Sequence, residues 1–142
     1  MGEMRRRVKA FLLDETLLNG GATVLNPFGL ANVPLVGYIV GMTGYTFDID
    51  TLHSTLWNGA MELVEKSLGP LMVGPAKGVG TWKCNCGESA HIHIDAVQWT
   101  SSEQHARLLC LEFKQQAYYD VEKQEAKHVG LDVDCDPPPF DG

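Results

Sequence analysis

The chain reads as an α+β protein whose mainly antiparallel sheet carries two amphipathic helices packed on one face. Three observations predict this: short β-prone segments divided by turn signals near the N-terminus, two stretches of helical spacing, and two strand pairs that alternate with them. The 142 residues suit one domain with a sizeable core, and no internal repeat of fixed period breaks the chain.

In chain order, Arg5-Arg6-Arg7 marks a flexible basic N-terminus over 1–7, and the apolar run Val8 to Leu13 is too short for periodicity to separate strand from helix. Asn19-Gly20-Gly21 is a turn signal, Ala22 to Leu25 a short strand, and Asn26-Pro27-Phe28-Gly29 a second turn. Val33 to Val40 is strand-like despite Pro34 and Gly37, and Tyr45 to Ile49 alternates beyond Gly44. From Asp50 or Thr51 the spacing turns helical, with Leu52, Leu56, Leu63 and Val64 on one face and Gly69-Pro70 as the stop. Asp48 and Asp50 flank that helix start, where acidic side chains suit the positive helix end. Gly59 interrupts this helix, and close packing is the expected reason.

Leu71 to Val73 is expected as a short strand and 74–80 as a glycine-rich linker. The linker is not a phosphate loop, because Lys77 lacks the Gly-Lys-Ser/Thr ending and no helix opens after it. Ser101 and Gln104 form a capping box for a helix that aligns Ala106, Leu109, Cys110 and Phe113, so Cys110 is a small core residue. Ala117 to Glu122 and Lys127 to Val133 complete a strand pair, and 134–142 reads as an acidic, proline-rich tail docked by Phe140.

Composition removes several functions. A net charge of −7 argues against general nucleic-acid binding, which needs clustered cations. No apolar run reaches the roughly 18 residues of a membrane span. The short apolar segment after Arg7 meets Asp14 and Glu15, unlike a signal peptide. A cytoplasmic protein is expected. Its four cysteines, Cys84, Cys86, Cys110 and Cys135, are too unevenly spaced for a secreted disulfide framework, which favours reduced thiols or metal ligands.

Candidate chemistry concentrates between Thr81 and Asp95. Cys84 and Cys86 alternate, a polar turn follows, and His91 and His93 alternate, so a hairpin turning at 87–90 would set Cys86 opposite His91 and Cys84 opposite His93. Those four side chains would share one sheet surface and hold Zn²⁺ as Cys2His2, with His105 or Cys135 as substitutes for one ligand. The alternative is that the cysteines are packed and the histidines half-exposed. His91-x-His93-x-Asp95 also resembles the ligand run of metal-dependent hydrolases, although Ala96 stands where a further histidine would follow. A Cys86/His91 nucleophilic pair lacks an identifiable oxyanion hole.

The segments Gly20 to Pro27, Gly37 to Gly41, Gly80-Thr81-Trp82, Ile94-Asp95, and the block from Ser102 to Ala106 and on through Gln116 to Val121 resemble a family of small proteins encoded by actinobacteria, their phages and other mobile elements. The resemblance implies a provenance and carries no catalytic residue across. The Cys/His stretch is not part of it. The expected function is a non-enzymatic accessory protein that binds a protein partner, with Trp82, Trp99, Tyr118 and Tyr119 as candidate anchors. The alternatives are a small hydrolase using His91, His93 and Asp95, and a virion component whose proline-rich end reaches a neighbouring subunit.

Overall fold

The computed structural model describes residues 4–29, 33–84, 90–115 and 117–129. Helix α1 (Arg6–Asn19) precedes strands β1 (Gly21–Leu25) and β2 (Tyr38–Asp48), then a 3₁₀ turn and α2 (Ser54–Leu68). Strands β3 (Lys77–Cys84) and β4 (His91–Thr100), α3 (Glu103–Glu112), and β5 (Ala117–Asp120) with β6 (Glu125–His128) follow. The described strands form one six-stranded sheet, ordered β1-β3-β4-β2-β5-β6, with every pairing antiparallel. The α+β class with an antiparallel sheet is as expected from the sequence.

The ambiguous run at Val8 is helical. Val8, Leu12 and Thr16 recur every four residues and are buried, and Gly20 at φ +90° closes the helix by donating its N–H to the Thr16 carbonyl. Three helices therefore replace the expected two among the described residues. Arg6 and Arg7 lie in the first turn of α1, and Met4 before it is buried in the core.

Alternation along β4 assigns the two faces. Ile92, Ile94 and Ala96 are fully buried and join the cluster that holds Leu12 of α1 and Trp57, Met61 and Val64 of α2. On the same face, Val40 and Tyr118 pack with Ala106, Leu109 and Cys110 of α3. All three helices thus cover one face, each large buried side chain contributing about 1.5–3 kcal/mol. Tyr118 belongs to this core rather than to a surface.

The face of α2 differs from the one read in the sequence. Leu52 and Val64 are buried, but Leu56 and Leu63 are exposed, because Trp57, Ala60, Met61, Val64 and Leu68 form the inward stripe and Trp57 donates its indole N–H to the Lys9 carbonyl. Gly59 lies on the outer side with nothing near its missing side chain, so close packing does not explain it. Residues expected as a strand at Leu71 form a 3₁₀ turn over Gly69–Met72, consistent with Pro70 in its first positions. The supposed linker enters the sheet, with Gly78 and Gly80 in β3; the backbone of β1 passes so near Gly78 that no side chain fits there. The helix cap is one residue later than expected, Ser102 accepting from the His105 amide. Cys110 and its neighbours face the core as the spacing predicted.

Candidate functional site: the helix-free face around Asp95

The odd-numbered residues of β4 point away from the helices. On this face Leu25, Ile39 and Val97 form a small cluster with Trp99 and Tyr119. His91, His93 and Asp95 stand beside it in line, each partly exposed.

The register decides who meets whom. Cys84 pairs with His91, Trp82 with His93, and Gly80 with Asp95. The hairpin therefore closes two residues earlier on β3 than the sequence reading placed it: Trp82, not Cys84, faces His93. The rings of Trp82 and His93 meet edge to face with centroids 5.0 Å apart. From the other side Thr46 approaches His93, its hydroxyl 3.0 Å from Nδ1. Burial, with His91 adding repulsion, lowers the His93 pKa, so its imidazole is neutral at pH 7.

For Zn²⁺, the described donors do not assemble as expected. Cys84 is buried and disulfide-bonded, and a disulfide sulfur is not a thiolate ligand. This also corrects the expectation of a reduced thiol at Cys84. Cys86 and Cys135 lie outside the described residues. His105 sits at the start of α3 with its Nδ1 3.0 Å from the Thr100 hydroxyl. Among the described residues, no three His, Cys, Asp or Glu side chains come together as a metal site. Alternate residues on a strand lie about 6.5–7 Å apart, which explains why a shared face does not by itself bring His91, His93 and Asp95 onto one ion.

Asp95 is the unusual member. Its neighbours in the sheet are glycines on both sides, Gly44 on β2 and Gly80 on β3. A β-bulge between Gly41 and Thr43 brings a third glycine, Gly41, to the same face, where a Cβ would lie 3.6 Å from Asp95 Oδ2. The carboxylate reclines in the space this glycine floor leaves. Gln115, just after α3, completes the enclosure, its Oε1 3.5 Å from the same Gly41 position. Among the described residues, no hydrogen bond or ion pair reaches the Asp95 carboxyl, and burial pushes its pKa up to about 7. Sequence reasoning singled out Asp95 only as a ligand beside two histidines. The signal it missed was a pair of glycines in each flanking strand, Gly41 with Gly44 across the bulge and Gly78 with Gly80 in the stretch assigned to a linker.

No family model, curated protein or solved structure matches the chain.

Proposed function

We propose that this chain is a non-enzymatic accessory protein that binds another protein through the helix-free face of its sheet, in the service of a phage or mobile element. One observation carries the binding reading. All three helices gather on one face, and among the described residues no helix covers the other, where Trp82, Trp99 and Tyr119 are each only partly buried. Aromatic side chains with a polar rim are what protein interfaces favour. The provenance rests on the sequence resemblance alone, and the host cytoplasm or the virion is the place it implies.

The negative charge of the chain fits a basic or neutral partner better than nucleic acid. No described helix is long and apolar enough to cross a membrane.

Photo-crosslinking tests the reading. A crosslinking residue at Asp48, exposed at the end of β2 on this face, should yield one discrete adduct with a phage or host protein. The same residue at Leu108, exposed on the outer side of α3, should yield none. Adducts only from Leu108, or none from Asp48, would remove the proposal.

A second reading, a small hydrolase built on His91, His93 and Asp95, draws support from the raised Asp95 pKa beside a neutral His93. Ester or phosphoester turnover that depends on Asp95 would favour it over binding alone.

A further inference from the structure

We propose that the glycine-floored cavity at Asp95 is a binding site for a primary ammonium group, and that its occupant is a lysine side chain presented by the protein partner. The inference rests on the binding role proposed above and names the chemistry of the group received.

The cavity is lined by Ile39, Gly80, Trp82, Asp95, Val97 and Gln115 among others, and Asp95 is the only charged residue among the described residues of the lining. Its polar atoms favour a donor. The Asp95 carboxyl accepts from no described group, and Gln115 Oε1 likewise has no hydrogen-bond partner among the described residues, its amide nitrogen being directed to the Phe113 carbonyl at 3.4 Å. An ammonium offers three donors and no acceptor, so it meets both oxygens without conflict. An anion would face the carboxylate and find no described cation in the lining.

Size selects among cations. The cavity measures about 20 Å³, room for one water-sized group. An ammonium head is of that size, whereas a planar guanidinium is larger and needs a wide, flat slot. Trp82 forms part of the wall, and an indole beside a desolvated ammonium adds attraction through its ring. Ile39 and Val97 are apolar and buried, which suits the methylene stem of lysine. The glycines at 41, 44 and 80 give the site its depth, since a side chain at Gly44 would occupy the place of the carboxylate itself.

The test uses a lysine surrogate on the intact chain. Nα-acetyl-lysine methylamide is titrated while the amide resonances of Gly41, Gly44 and Gly80 and the side-chain amide of Gln115 are followed. Nα-acetyl-norleucine methylamide serves as the uncharged control. Saturable shifts confined to these groups, absent with norleucine and weakened about ten-fold or more in Asp95→Asn, are expected. The spectrum elsewhere reports whether that variant keeps its fold. Shifts that never saturate, that norleucine reproduces, or that survive Asp95→Asn in a folded chain would overturn the site and leave water as its occupant. The outcome is separable from the binding proposal: adducts at Asp48 that persist while the lysine probe fails would discard the ammonium site alone. Lysine binding without adducts would keep the site and discard its assignment to a protein partner.

Discussion

Asp95 and Gly44 stand directly opposite each other on β4 and β2, and the Asp95 carboxylate fills the volume that a side chain on Gly44 would need. The pair is a lock-step choice: an acid can lie flat over β2 only because its partner has no Cβ. Gly44→Ala should therefore destabilise the chain by about 2–4 kcal/mol, as overpacking and strain at a close approach do. The Ile94 carbonyl crowds the same position, so Asp95→Ala should restore only part of the loss in the double variant. Urea unfolding of the two single variants and the double checks both statements.

Asp95 also sets a pH dependence. Its carboxyl titrates near 7 in the folded chain against an ordinary 3.8, because burial disfavours the charge. Below about pH 4 both states are protonated. Between there and about 7 the folded chain holds a proton that the unfolded chain has released, so stability falls as pH rises and levels off above 7. At about 1.4 kcal/mol per pH unit, and with partial exposure softening the effect, the loss is about 2–3 kcal/mol. Asp95→Asn should flatten that window and raise stability at pH 8 by about 1–3 kcal/mol. Urea midpoints at pH 4.5 and 8, wild type against variant, isolate the effect.

Gly59 lies in the exposed middle of α2 with open space where a side chain would go. Nothing near it requires a glycine. Gly59→Ala should stabilise the chain by about 0.5–1 kcal/mol through helix propensity alone, read as a higher thermal midpoint. A loss of stability would mean that the outer side of α2 is not free.

The thiols give a fourth check. Cys84 is disulfide-bonded while Cys110 is free and buried, its thiol pushed up to about 11 chiefly by burial. Alkylation without reductant should leave Cys110 unlabelled in the native chain and, after denaturation, label no more than two of the four cysteines. Chelators should leave the melting temperature of this oxidised chain unchanged. Four labelled cysteines would return Cys84 to the pool of possible Zn²⁺ ligands.

How far the sequence foretold this molecule depends on whether local signals agreed. The α3 stripe of Ala106, Leu109 and Cys110 was legible because helical spacing and burial coincide there. The strand pair after it was legible only in part: β5 begins at Ala117 as expected, but β6 spans Glu125–His128 where Lys127 to Val133 was expected, and 130–133 lie outside the described residues. In α2 two apolar stripes compete, and the winner is set by Trp57, whose bulk and indole hydrogen bond to α1 no periodicity encodes. Gly78 and Gly80 were read as linker because glycine weakens a strand taken alone. The neighbouring backbone of β1 explains Gly78, and the Val97 side chain of β4 crowds the place of a side chain on Gly80. The site suffered the same way, since His91, His93 and Asp95 were recognised as residues while the cross-strand partners that define them were not.

The bulge at Met42 carries a consequence for how β2 is written. Before it, odd-numbered Ile39 and Gly41 look outward from the helices; after it, even-numbered Gly44, Thr46 and Asp48 do. Met42 itself turns into the helix-facing core. One strand thus holds two reading frames, which is why its halves look like separate strands to any test of alternation. Deleting Met42 would remove the extra residue and restore one frame throughout, leaving Thr46 and Asp48 outward and Tyr45 and Phe47 toward the helices, at the cost of one buried core side chain. The frame change, more than any one side chain, is what lets glycines flank an acid on three sides.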